Sequence, residues 1–341
     1  MVLSPLLQLA STLSSVTVAE GQAAAQVVLA QAPWEGHQPE RSALNNDGSP
    51  LQLCITSKAD RYGVRLIGDP AYDVISQQQR LMRGKQALKT LLQSSSLVSL
   101  RALFAQLLRE TLPQTPEVID QLEVGGMWLA TALGSPGVAA YTTAWWGDEH
   151  SHWERAATWL NNLLPESELS EAVIRQLSTI AKLSSTAIEG ADADTARAKL
   201  YFRFSQPTQL STLGLPLFST DELTHFIQET VPPTGIAMSG FVMSVGFAVA
   251  TGAITDVKLD LCGCCRCLSR SPEQWLDLFS SLGTTYGLRI PPLESALTSQ
   301  PVSVAFVGMG MTQKHQPRLN IYLKADNPAE NHDDEHVKNS Y

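Results

Sequence analysis

Five pairs of short strand-like segments, each joined by turn residues, recur along this 341-residue chain and alternate with helix-like stretches. Such a pair predicts an antiparallel hairpin, and its recurrence predicts a repeat architecture with about ten strands. The predicted pairs are Leu51–Ser57 with Tyr62–Ile67, Met127–Leu133 with Val138–Trp145, Ala181–Glu189 with Ala198–Ser205, Gly240–Ala250 with Thr255–Cys262, and Val302–Met311 with Arg318–Lys324.

Side chains in these segments alternate between polar and apolar. In residues 197–204 the odd positions are cationic or phenolic and the even ones apolar, and residues 256–261 and 318–324 show a similar split. Alternate residues face opposite sides of a sheet, so each strand has one polar face. An open sheet with one face in water explains this pattern, and so does a closed barrel. Tyrosines interleaved with cations, and the loss of sheet edges on closure, favour the barrel. The expected fold is therefore α+β: a ten-stranded antiparallel β-barrel of five hairpin repeats, with helices outside and a lumen wide enough for a ligand.

The overall charge excludes some partners. The chain has 24 Lys and Arg against 33 Asp and Glu, a net charge of -9, so a nucleic-acid backbone is not an expected partner. A hydrophobic content of 44% is enough for a folded core. No apolar stretch reaches the length of a membrane span, and the first residues lack the basic region of an export signal. We therefore expect a cytoplasmic, monomeric protein that does not bind membranes and whose cysteines are reduced.

Cations on the polar strand faces outnumber the carboxylates on the same strands. The only acidic partners evident there are Asp256 and Asp260, while the cations include Arg65, Arg197, Lys199, Arg203, Arg318 and Lys324. Buried charges need counter-ions, so the surplus predicts an anionic ligand, and phosphate or diphosphate suits Arg and Lys best. Tyr141, Tyr201 and Tyr322 share these faces, and aromatic rings stabilise cations. Together these groups suit the ionisation of an allylic diphosphate.

Four segments carry a resemblance to a known family. They are Ser49–Leu53 followed by Val64–Leu66, Ala196–Tyr201, Val257–Asp260 and Leu319–Leu323. In order and spacing they resemble the aromatic prenyltransferases with the ABBA (α-β-β-α) barrel, most closely the tryptophan dimethylallyltransferase branch, over roughly residues 48–325. The resemblance implies a barrel built from five α-α-β-β repeats and surrounded by a ring of helices. It also implies transfer of a dimethylallyl or longer group from an allylic diphosphate to an aromatic acceptor, without essential Mg²⁺ or another cofactor.

The resemblance also implies residue roles. The diphosphate would be bound by Arg65, Arg197, Lys199, Lys258 and Arg318, and the allylic cation would be shielded by Tyr141, Tyr201 and Tyr322. We place Trp145, Ser244 and Asp260 in the acceptor pocket and expect no metal ligands.

The chain departs from the family pattern at four positions in three strands. Gln52 stands where the family has a glutamate that takes a proton from the indole, and an amide cannot act as a general base. Ala139 replaces an expected lysine, and Lys258 with Asp260 replaces a neutral residue and a tyrosine. The acceptor therefore stays open: a small indole or phenol, or a peptide side chain. A barrel that binds an anionic isoprenoid without catalysis is the third alternative.

The remaining features have structural explanations. Cys262, Cys264, Cys265 and Cys267 match no standard zinc spacing, so we expect structural thiols in preference to a metal site. His332 to His336 lie in a polar tail, which is expected to be solvated. We divide the chain into an N-terminal extension, 1–47, one barrel domain, 48–326, and a tail, 327–341.

Overall fold

Ten antiparallel strands form a closed barrel in the computed structural model, which describes residues 4–33, 42–45, 47–165, 168–208, 220–268, 270–312 and 316–326. Each strand pairs with its neighbours in the chain, and the first pairs with the last, so that no edge is left open. The strands are β1 Leu51–Ser57, β2 Tyr62–Gly68, β3 Met127–Leu133, β4 Val138–Thr143, β5 Ala181–Gly190, β6 Arg197–Phe204, β7 Phe241–Ala248, β8 Ile254–Cys262, β9 Val302–Thr312 and β10 Pro317–Ala325. The predicted fold class and all five hairpins are confirmed.

Helices precede each hairpin and cover the outside of the barrel. They are α1 Pro5–Ser14, α2 Val18–Val28, α3 Gln77–Leu91, α4 Arg101–Thr111, α5 Pro116–Ile119, α6 His150–Leu163, α7 Glu168–Leu177, α8 Thr220–Thr230, α9 Cys264–Cys267, α10 Pro272–Tyr286 and α11 Glu294–Ser299. Local sequence fixes several of their ends: α10 begins at a capping box of Ser271 and Gln274 and ends at Gly287, whose φ of 62° suits glycine. None of the described helices is long and apolar enough to cross a membrane.

The hydrophobic core lies between the helices and the apolar strand faces. Phe104, Trp159, Phe226 and Phe279 are fully buried there against strand residues such as Phe202. The pattern of alternation in the strands thus places the apolar side chains outside the barrel wall, under the helices, and the polar ones in the lumen.

The first two helices share this core. Leu6 and Leu7 of α1 and Val28 of α2 are buried in the same cluster as the barrel strands. These helices therefore supply the helical part of the first repeat. The proposed domain limits at 47 and 326 remain sequence-based predictions, and the tail from 327 lies outside the described residues.

Candidate active site in the barrel lumen

A cavity of about 870 Å³ opens at the end of the barrel where the turns of the first three hairpins lie. Register explains its lining, because residues on alternate positions of paired strands face the same side. Its charged lining residues are Lys58, Arg61, Arg65, Glu189, Arg197, Lys199, Lys258 and Arg318, and Asn320 lies beside them. All five residues predicted to bind diphosphate thus line one cavity.

Glu189 at the end of β5 is the centre of the first charge cluster. Its carboxylate forms ion pairs with Arg197 at 2.5 Å, Lys199 at 3.0 Å and Arg65 at 3.3 Å. Burial alone would raise the pKa of Glu189, but these cations outweigh it and hold the pKa well below its usual range. Glu189 is therefore a carboxylate, and sequence reasoning missed it.

Asp256 on β8 is the centre of the second cluster. It pairs with Arg197 at 3.0 Å, with Lys199 at 3.2 Å and with Arg318. Despite its burial, these cations hold the pKa of Asp256 well below the usual value. Asp256 is fully buried and does not line the cavity, so it contacts the cations at a point that is not exposed to the cavity.

These contacts correct the prediction that the lumen cations lack partners. Each predicted diphosphate ligand already pairs with a carboxylate, and Lys324 pairs with Asp47 in the segment before β1. Arg203 donates to the carbonyl oxygen of Ser239. The five cations and Glu189, Asp256 and Asp260 leave a net charge of only about +2.

The three tyrosines lie deeper in the lumen than the charged clusters. The Tyr141 and Tyr201 rings meet edge to face with centroids 5.8 Å apart. Lys258 Nζ donates to Tyr322 Oη at 2.7 Å and lies 5.3 Å from that ring and 5.8 Å from the Tyr201 ring. Burial raises the pKa of Tyr201 and Tyr322 well above its ordinary value and also raises that of Tyr141, so all three phenols are neutral.

Gln52 faces the lumen on β1 but is engaged by the chain segment before that strand. Its Nε2 donates to Asn45 Oδ1 at 2.6 Å, and Asn45 Nδ2 in turn donates to the Ser49 carbonyl oxygen at 2.9 Å. Leu44 of the same segment packs against the buried cluster inside the barrel that includes Cys54 and Tyr322. These lumen contacts could not be predicted from the sequence, because residues 42–49 have no regular pattern.

Ser244 and Asp260 face the lumen as predicted. Lys258 Nζ lies 2.5 Å from Asp260 Oδ2, whereas the buried Asp260 Oδ1 and Ser244 Oγ have no hydrogen-bond partner among the described residues. Such atoms are rare in folded proteins.

Trp145 lies elsewhere, which corrects its assignment to the lumen. It is 51% exposed, its indole N–H donates to the Leu183 carbonyl oxygen at 3.1 Å, and it does not line the cavity. The parity that Trp145 shares with Tyr141 holds only within a strand, and β4 ends at Thr143.

The cysteines with described side chains near the end of β8 are free thiols. Cys262 is buried and faces the lumen, and burial raises its pKa to about 12. Cys264 Sγ contacts the Leu261 carbonyl oxygen at 3.4 Å. Among the described residues, no group of three or more His, Cys, Asp or Glu is arranged to hold a metal ion. The side chain of Cys265 lies outside the described part.

Comparison with known proteins identifies the fold. No protein family and no curated protein matches the sequence. Among solved structures, 5-dimethylallyltryptophan synthase from Streptomyces coelicolor superposes with a TM-score of 0.71 at 18% identity, covering 94% of this chain and 95% of that one. The prenyltransferase PriB in a ternary complex gives a TM-score of 0.72 at 17% identity, with 95% and 96% covered. AnaPT from Neosartorya fischeri gives 0.71 at 16%, with 94% and 91% covered. The chain therefore has the fold of the barrel prenyltransferases.

Proposed function

We propose that this protein is an aromatic prenyltransferase that moves a dimethylallyl or longer group from an allylic diphosphate to an indole or phenol. The observation that carries the proposal is the layering of the lumen, with five cations in the cavity and three neutral phenols below them. The solved structures support it, since PriB has been solved in a ternary complex with L-tryptophan and dimethylallyl thiolodiphosphate. The S. coelicolor synthase has likewise been solved with DMASPP and Trp.

The cations would bind the donor and stabilise its leaving group. Arg65, Arg197, Lys199, Lys258 and Arg318 face the space where the diphosphate would lie. As the bond between the allylic carbon and oxygen breaks, negative charge grows on the diphosphate, and fixed cations stabilise it without reorganising. The proposal includes transfer without Mg²⁺, so activity is expected to persist in EDTA.

The phenols would stabilise the allylic cation. Tyr141, Tyr201 and Tyr322 present neutral, electron-rich rings, and such rings stabilise an adjacent cation by about 0.5–2 kcal/mol each. A closed barrel wall excludes water that would otherwise capture the cation. A carbon of the acceptor ring then forms the new bond to the allylic carbon and gives its proton to the released diphosphate, which restores aromaticity. Gln52 is not the base for this step, because an amide does not accept a proton at neutral pH.

The test is a mass-spectrometric screen of allylic diphosphates of one, two and three isoprene units against indoles, phenols and aromatic peptides. An acceptor that gains the mass of one prenyl group, with release of diphosphate, is the expected result. If only the peptides gain the mass of a prenyl group, the acceptor is a peptide side chain and not a small indole or phenol. Donor binding without release of diphosphate would contradict the enzyme proposal and favour a non-catalytic barrel. Y322F is a useful variant because it keeps the ring but removes the acceptor of the Lys258 hydrogen bond.

A further inference from the structure

Glu189 occupies the face of the cation cluster that is open to the cavity. Its side chain is 8% exposed and lines the cavity, and its carboxylate contacts Arg65, Arg197 and Lys199. In register it lies opposite Arg197 on β6 and Ala139 on β4.

Asp256 contacts two of the same cations but from the opposite side. It has no exposed surface, pairs with Arg197, Lys199 and Arg318, and accepts the Thr255 hydroxyl at 2.8 Å. The two carboxylates have the same charge and share Arg197 and Lys199. They differ in that only Glu189 lies where a ligand in the cavity would contact these cations.

Arg65, Arg197 and Lys199 cannot direct the same N–H groups at Glu189 and at a diphosphate. A diphosphate placed among them would also lie beside a carboxylate of like charge, which is strongly unfavourable in a partly buried site. Without a bound diphosphate, however, the three cations need a counter-ion, and Glu189 supplies it.

We propose that Glu189 is an internal counter-ion that the donor diphosphate displaces, and that it thereby sets donor affinity. The inference rests on the proposed function. When the donor enters, the Glu189 carboxylate gives up its cations to the phosphate oxygens. When the diphosphate product leaves, the carboxylate returns and satisfies the cations again. Glu189 thus weakens both donor and product binding and favours product release.

The test compares E189Q with D256N, which makes the same charge change on the carboxylate behind the cations. Isothermal titration calorimetry of the full chain with inorganic diphosphate and with dimethylallyl thiolodiphosphate measures binding without turnover. We expect E189Q to bind both probes at least about tenfold more tightly than the wild type, because the competing anion is gone. D256N is expected to bind them no more tightly than the wild type, because Arg197, Lys199 and Arg318 lose the carboxylate that positions them.

Steady-state kinetics give a second readout. In E189Q the KM for the donor should fall, and kcat should fall with it because product diphosphate leaves more slowly. E189A serves as a second variant that also removes the carboxylate, should the glutamine form fold poorly.

Equal or weaker binding of both probes by E189Q and E189A overturns the inference. If D256N binds as tightly as E189Q, the effect is one of net charge, and the inference is also overturned. Tight probe binding without transfer to any acceptor contradicts the proposed enzyme, while the affinity ranking of the variants still decides the role of Glu189. A wild type that binds neither probe overturns both proposals.

Discussion

Donor binding should weaken as pH rises through about 8, because Lys199 loses its proton there. The Lys199 side chain is 3% exposed, and its Nζ lies 3.0 Å from Glu189 and 3.2 Å from Asp256. Its pKa is lowered to about 8, chiefly by burial and also by the nearby charges of Arg197 and Arg318. The two carboxylates act in the opposite direction but do not offset this. Below this pH the ammonium is present in the empty site, and above it the site has one cation fewer.

The size of the effect follows from linkage between protonation and binding. A phosphate oxygen favours the charged lysine, so the pKa of Lys199 must be higher in the complex than in the empty site. A charged hydrogen bond contributes about 1.5–3 kcal/mol, which corresponds to a rise of about 1–2 pKa units. Affinity therefore stays constant below pH 8, falls about tenfold per pH unit above it, and levels off near about pH 9–10, a total loss of about 10- to 100-fold.

The assay is calorimetric titration with dimethylallyl thiolodiphosphate from about pH 6.5 to about pH 10. K199R is the matched control, because arginine keeps its charge throughout this range while the ligand's own ionisation is unchanged. We expect the fall in the wild type and a much flatter profile in K199R. A flat wild-type profile, or the same fall in both proteins, would refute the assignment of Lys199 to the donor site.

Three further substitutions test the placement of individual side chains. In G308A the new Cβ would lie 1.9 Å from Asp260 Oδ1, so we expect the free energy of unfolding to fall by about 1–3 kcal/mol, with a lower Tm. The control G63A has nothing within 4 Å of its new Cβ and should keep a nearly unchanged Tm. Equal Tm values for the two variants would contradict the lumen position of Asp260. D69N weakens the fully buried pair in which Arg80 Nη2 lies 2.6 Å from Asp69, and chemical denaturation should show a loss approaching about 3–5 kcal/mol; wild-type stability would mean that the pair is not formed. W145A should change the acceptor KM by less than about twofold because Trp145 lies outside the cavity, and a tenfold rise would return it to the acceptor pocket.

Much of the fold could be predicted because the strands alternate cleanly and are joined by strong turn signals. Gly134 has a φ of 70° in the turn between β3 and β4, and residues 197–204 place Arg197, Lys199 and Tyr201 in the lumen as their parity requires. These features depend on neighbouring residues only, so they can be read from one sequence. Strand parity predicts the lumen position of Arg318 in the same way, and the role of these cations in donor binding stays a prediction.

Glu189 could not be identified from alternation because its strand is irregular. Residues 181–190 contain two serines and a threonine in succession, and the register of β5 with β6 shifts between Leu183 and Ser185. Such a shift changes which residues share a face, so the parity at one end of β5 does not predict the other. The pairing of Glu189 with Arg197 across the hairpin becomes apparent only from the register itself.

The charge balance was misjudged for a related physical reason: in a barrel the counter-ions come from other strands. Gly246 on β7 lies in register between Lys199 on β6 and Asp256 on β8, which form an ion pair. Gly310 on β9 lies opposite Arg318 on β10, whose side chain crosses β9 to pair with Asp256 on β8. A Cβ at Gly246 would lie 2.5 Å from Asp256 Oδ1, and one at Gly310 would lie 2.8 Å from Arg318 Nε. These glycines leave the space through which long charged side chains meet across an intervening strand. A glycine on the polar face of a lumen strand is therefore a sign that a charged side chain crosses that strand to reach a partner, and counting the acids of each strand alone overestimates the cations free to bind a ligand.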